Sequence, residues 1–183
     1  MSRWCAVLLG VTLVMGACRD DDGRQPTTPP AETPQALVDP ASDLDAQIAA
    51  LYVAGRYSPA RATVERALAL REEVLGPGHP LTATSLGHLG KLCQAEGDPR
   101  GARAHLERAL AIRDEALGPE HPETIRSLHH LGALCQATGD LAAARPYLER
   151  ALAARDKVLG PAHPETVASL IHLGALRRAM GDV

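Results

Sequence analysis

The chain has 183 residues, of which 45% are hydrophobic and 22% charged, with a formal net charge of -3. That length holds one ordinary domain or a short repeat array, and the slight acidity gives no reason to expect nucleic acid, whose binding needs a basic face. Aromatics make up 2% with no Phe, so Leu and Ala must build any core; all but two of the 19 basic residues are Arg, and they read as scattered rather than grouped.

The chain begins MSRWCAVLLGVTLVMGAC. Arg3 supplies a positive start, Ala6 to Met15 an uncharged apolar run, and Gly16 and Ala17 small residues ahead of Cys18. A run of about ten residues falls short of the ~20 that a helix needs to cross the hydrocarbon core. The segment 1–17 is therefore read as a secretory signal rather than a membrane span. Its ending, MGAC, resembles a bacterial lipobox, although Met15 stands where Leu is usual. The resemblance implies lipidation of Cys18 and attachment to the bacterial cell envelope. Arg19 does not match the Asp associated with inner-membrane retention, which points to the outer membrane. The alternative is a plain signal peptide cleaved nearby, an ordinary Cys18 and a soluble secreted or periplasmic product.

Residues 18–42 include RDDDGRQPTTPPAETPQALVDP, rich in Pro and Thr and without helical or strand periodicity. Such a segment buries too little apolar surface to order itself, and it is predicted to be a disordered tether.

From Asp43 onward the sequence echoes itself every 42 residues, in units 43–78, 79–120, 121–162 and a partial 163–183. The stretches starting at His79 and His121 agree at about 27 of 42 positions, which is the mark of a stacked solenoid. Each unit is predicted to hold two helices, Pro80–Ala95 and Pro99–Leu117 in the best-defined case. Gly97 and Gly139 end the first helix, Asp98 and Asp140 cap the second, and Pro99 takes a position where no amide donor is missed. Gly76, Gly118 and Gly160 end the second helix. His79, His121 and His163 follow at the next cap, each before a Pro, and Glu123 and Glu165 complement the helix dipole. Pro146, inside a second helix, is expected to cost a hydrogen bond and bend it.

Leu86, Leu89, Gly90, Ala102, Leu106 and Ala109 recur as Leu128, Leu131, Gly132, Ala144, Leu148 and Ala151. In this pattern the unit resembles a tetratricopeptide repeat of the 42-residue type found in kinesin light chains. The opening unit matches at Leu44, Leu51, Ala60, Val64 and Ala67, but Gln47 and Ile48 replace Leu-Gly. The resemblance implies an all-α fold: a short right-handed solenoid of about three helix pairs and one terminal helix, with the first helices lining a concave face.

Zinc ligands must lie about 2 Å from one ion, whereas helices stack roughly 10 Å apart. Period-related His cannot meet on such a spacing, so His79, His121 and His163 are read as structural, and no metal or cofactor is expected. Cys93 and Cys135, at equivalent places in successive units, are read as unpaired core residues because a disulfide needs Cα atoms within about 7 Å. No HExxH or phosphate loop is present, so no enzyme is expected. Glu107–Arg108 and Glu149–Arg150 read as solvated or inter-helix charge pairs.

In light-chain repeats the position held here by His88, His130 and His172 commonly carries Asn that bonds an extended peptide's backbone. The resemblance therefore implies a peptide-binding groove of His88, Lys91 and Gln94, then Arg126, His129, His130 and Gln136, then His172 and Arg178. Thr84, Gly87, Ala133, Ile171 and Ala175 are its neighbours, and Asp45 is the one acidic residue that the first helix is expected to bring to the groove. The expected ligand is an extended, acidic or polar protein segment, held more tightly as pH falls through ~6.5, where His protonates. The alternatives are a solvated His row left by duplication and an enzyme or metal-binding protein that uses this His row. The carboxylate clamp of chaperone-binding repeats is not reproduced, because its places hold Asp45 and Ala49. Leu170, Leu173 and Leu176 on the seventh helix are expected to lack a cover, and self-association through that end is the structural alternative.

Overall fold

A computed structural model describes residues 39–181. The signal, Cys18, nearly all of the tether and the last two residues lie outside the described part. Seven helices follow one another: α1 (Ser42–Val53), α2 (Tyr57–Val74), α3 (Pro80–Ala95), α4 (Pro99–Leu117), α5 (Pro122–Ala137), α6 (Leu141–Leu159) and α7 (Pro164–Met180). Among the described residues there is no strand.

The helix ends are written locally. At His79, His121 and His163 the backbone is extended, and each imidazole Nδ1 accepts from the backbone N–H two residues on, at 3.2 Å. The Pro that follows occupies a position whose N–H would otherwise be an orphan. Each repeated His is thus used by the turn that starts a helix. Asp98 and Asp140 cap α4 and α6 in the same way, accepting from Gly101 at 2.9 Å and Ala143 at 3.1 Å. Gly118 and Gly160 leave the long helices with φ near +85°, a region that L side chains avoid. α6 runs unbroken across Pro146, which removes the N–H that would otherwise reach Ala142.

The core passes from hairpin to hairpin. Ala41, Ile48, Val64, Leu89 and Leu92 join α1, α2 and α3; Cys93, Leu106, Leu128, Leu131 and Ala151 join α3 to α6; Cys135, Leu148, Leu173 and Leu176 join α5, α6 and α7. Ala41 is buried and Asp39 bonds Arg71, so the folded unit starts before residue 43. Close helix approach within a hairpin depends on missing side chains. A Cβ at Gly90 would lie 2.7 Å from Leu106 Cγ, and one at Gly132 would lie 2.6 Å from Leu148. At Gly174, the next equivalent, nothing lies within 4 Å.

That difference corrects the expectation for the last helix. Leu173 and Leu176 are buried against α6, and only Leu170 of the three is open. It is 49% exposed, where Leu86 and Leu128 are 0% and 1% exposed. Leu173 and Leu176 face back toward their own stack. Leu170, Val167 and Gly174 share the side on which α4 and α6 cover α3 and α5.

The second helices are linked by charge. Arg108 bonds Glu72 at 2.5 Å and Arg150 bonds Asp114 at 2.8 Å, one unit apart, while Glu107 and Glu149 take Arg103 and Arg145 on their own helices. These are the charge pairs that the recurring Glu-Arg dipeptides suggest. All are solvated, so each is worth about 1 kcal/mol or less.

Candidate functional site

Side chains of the first helices meet in the order α1, α3, α5, α7. His88 on α3 comes within 4.0 Å of Asp45 on α1. The rings of His129 on α5 and His172 on α7 lie 5.3 Å apart and tilted by 57°. Lys91 lies between, close enough to Arg113, Arg126 and His130 for their charges to act on one another. His88, Lys91, Arg126, His129, His130 and His172 therefore lie along one face. Within it the ring contact of His172 is made with His129. Gln94 and Arg178 are exposed and Gln136 half-buried, toward the C-terminal ends of α3, α7 and α5. At the α1–α3 end the face holds a largely apolar cavity of about 230 Å³, formed by Ile48, Ala49, Tyr52, Val53 and Leu92 with His88 and Lys91 at its side.

Protonation of this face is harder than free imidazoles would suggest. Burial pushes the His130 pKa down to about 4, with the charges of Lys91, His129, Arg126 and Arg113 adding to the effect. Burial likewise lowers His88, helped by Lys91, Arg71 and Arg113 and opposed by Asp45, and its Nδ1 is buried without a hydrogen bond. His129 is lowered by burial, Arg155 and His172. The midpoint of ~6.5 expected for the row thus moves downward for these three, because an imidazolium there would sit half-buried among other cations.

The larger departure concerns the arginines, which are not all scattered. Arg71, Arg113 and Arg155 recur every 42 residues near the ends of α2, α4 and α6 and are largely withdrawn from solvent. Each donates from Nη1 to a serine fourteen residues on: Ser85 at 2.8 Å, Ser127 at 2.6 Å and Ser169 at 2.6 Å. Each thereby pins the end of a second helix to the next first helix. The signal was present in the sequence as a polar identity at the repeat period, in LREE, IRDE and ARDK, with Ser before Leu in the following helix.

The three differ in how their charge is met. Arg71, fully buried, donates to both Asp39 and Asp45, with Nη2 2.5 Å from Asp45 Oδ2. Burial opposes its charge, but the two carboxylates outweigh burial and raise its pKa. Arg113 reaches Glu123 at 3.2 Å and Thr84 Oγ1 at 3.4 Å. Glu123 is shared with Arg126. Burial lowers the Arg113 pKa, with Glu123 opposing and Arg126 adding. Arg155 Nε lies 3.5 Å from Glu165 Oε2, an ion pair without a hydrogen bond, and is itself buried. Glu123 and Asp39 were not foreseen as members of this face.

Among the described residues no three His, Cys, Asp or Glu side chains are placed to hold a metal ion, and Cys93 and Cys135 are buried and free. No described helix is long and apolar enough to cross a membrane.

A family model described as tetratricopeptide repeat matches residues 44–115, 101–157 and 124–183. No curated protein sequence matches the chain. Among solved structures, the chain is similar to the kinesin-light-chain, nearly identical TPR-like repeats of Podosopora anserina, with 28% identity and a TM-score of 0.68 over 76% of this chain and 66% of that one. It is similar in fold to BtubC (BKLC) from P. vanneervenii, with a TM-score of 0.71 and 24% identity over 78% of this chain and 57% of that one. The chain thus spans somewhat under two thirds of the length of these structures.

Proposed function

Because this chain belongs to the tetratricopeptide repeat family, a family of protein-interaction scaffolds, we propose that it holds an extended, acidic segment of a partner protein along its α1–α3–α5–α7 face. One observation carries the reading. Lys91, Arg113 and Arg126 act on one another across α3, α4 and α5 with Glu123 as the carboxylate among them. Three cations against one anion leave a local excess that an acidic segment neutralises, and such complementarity favours encounter as well as affinity. The apolar cavity beside His88 and Lys91 receives a hydrophobic side chain of the same segment.

The test is fluorescence anisotropy with a labelled peptide of alternating Ser and Glu. Lys91→Ala and Arg126→Ala should each weaken binding about three- to tenfold, the scale of a partly solvated charge contact. Arg108→Ala, on the second-helix side, should change nothing. Equal losses from all three would sink the groove as the site.

We further propose, on the MGAC ending, that the protein is tethered through acylated Cys18 to the bacterial outer membrane and faces periplasm or exterior. Metabolic labelling with an alkyne fatty acid should mark the full chain and miss the Cys18→Ser variant. An unlabelled full chain would leave the soluble, secreted form. A second reading, assembly of copies through α7, is favoured by Val167, Leu170 and Ile171, which are 41%, 49% and 64% exposed. Sedimentation in which Leu170→Glu leaves the molecular mass unchanged would remove it.

A further inference from the structure

The first unit shows how a carboxylate sits on a ladder arginine. Asp45 on α1 reaches Arg71 with both oxygens, Oδ1 3.2 Å from Nη1 and Oδ2 2.5 Å from Nη2, beside the Ser85 contact. One period on, the residue in the place of Asp45 is Gly87, and one period further it is His129. The geometry repeats as well as the sequence. A Cβ built on Gly87 would lie 3.9 Å from Arg113 Nη1, its nearest neighbour within contact range. His129, in turn, feels the charge of Arg155. The α1 carboxylate that completes the first guanidinium is therefore missing over Arg113 and replaced by an imidazole over Arg155.

The surroundings of Arg113 leave room for a ligand group. A cavity of about 390 Å³ opens beside its guanidinium, walled by Leu81, Thr84, Leu117, Glu123 and Arg126. Leu81 stands at the sequence register of Asp39, the other carboxylate on Arg71. Both own-chain anions of the first unit thus lack counterparts on the preceding helix here. What remains is Glu123, drawn off toward Arg126. A guanidinium 6% exposed at its side chain, with half a counter-charge and an open approach, favours a further anion strongly.

We propose that Arg113 is the docking point for a carboxylate side chain of the bound segment, which enters over Gly87 and takes the place that Asp45 fills against Arg71. This rests on reading the groove as a peptide site and specifies it. An Asp or Glu of the ligand accepts from Arg113 Nη1 and Nη2 between α3 and α5, with Lys91 and Arg126 at the rim. Arg71 is closed to the ligand by its own chain, and the His129 imidazole makes Arg155 the poorer donor to a second carboxylate. The segment is therefore anchored at the middle unit.

Gly87→Asp supplies the carboxylate from within, and Gly87→Asn is its uncharged match. The protein should bind the Ser/Glu peptide about tenfold or more tighter than a Ser/Gln peptide, the worth of one charge-assisted contact. Gly87→Asp and Gly87→Asn both fill the place that the ligand carboxylate takes, so both should lose most of that preference. Without peptide, Gly87→Asp should melt about 2–4 °C above Gly87→Asn, the shift expected for roughly 1 kcal/mol in a chain of this size. A Ser/Glu preference kept in full by both variants, or equal melting of the two, would overturn the assignment. If the unsubstituted protein binds neither peptide, the groove reading fails by itself. The melting comparison still judges whether a carboxylate at that position reaches Arg113.

Discussion

The first and middle units put the same arginine to different uses. Arg71 is fully enclosed, with Asp39, Asp45 and Ser85 around its guanidinium. Arg113, in the same place one unit later, has Ser127 and a share of Glu123. Units that share the same arginine and serine thus yield a structural ion cluster at one end and an under-neutralised cation in the middle. The difference comes from Asp45 against Gly87, with Asp39 against Leu81 as the second contrast. In a solenoid, function can be grafted by changing what surrounds a repeated residue while the residue itself stays.

The sharpest break of that comparison is removal of the cation. Arg71→Met should cost about 2–4 kcal/mol, because it strands two carboxylates that are themselves partly sheltered. Arg113→Met should change stability by about 1 kcal/mol or less in either direction, since desolvation already works against that guanidinium. Urea melts of the two variants measure the contrast, and equal losses would mean that the two sites are neutralised alike.

A second contrast sets the interior against the last helix. Gly132→Ala should destabilise by about 1–3 kcal/mol, because its Cβ would enter Leu148. Gly174→Ala, with open space around it, should be neutral or stabilise by up to about 1 kcal/mol through helix propensity. Thermal denaturation of both reports whether anything covers α7 in solution: a cost at Gly174 like that at Gly132 would show that something does.

Much of the fold could be read beforehand because its determinants are local. The His-Pro and Gly-Asp starts cap helices with atoms two or three residues away, so the bounds of α3, α4 and α5 follow from spacing alone. Leu173 and Leu176 were misplaced because a leucine's facing depends on which neighbouring helix is present. That His88, Lys91, Arg126, His129, His130 and His172 share one face was legible through family resemblance, but the electrostatics of that face were not. His130 looks like any exposed imidazole until burial and Lys91 are placed beside it. The arginine ladder was visible as period-related identities, yet its meaning lay in the residues that vary around it: Asp45, Gly87 and His129.

The smallest effect sharpens the electrostatic side of the comparison. The folded pKa of His130, about 4, lies below the ~6.5 of an unfolded chain. The unfolded state therefore takes the proton first, and stability falls as pH drops from about 6.5 toward 4. His130→Asn should flatten that slope by about 1–2 kcal/mol over the window, after allowance for the solvent that still reaches the ring. An unchanged slope in denaturant melts at pH 7 and pH 4.5 would mean that His130 protonates freely.

The most direct observation is of the guanidinium groups themselves. In protein labelled with ¹⁵N-arginine, adding the Ser/Glu peptide should shift the Arg113 Nε and Nη signals and leave those of Arg71 in place, because only the middle site is open to an incoming carboxylate. Shifts confined to exposed arginines such as Arg108, with Arg113 unmoved at saturation, would contradict the account.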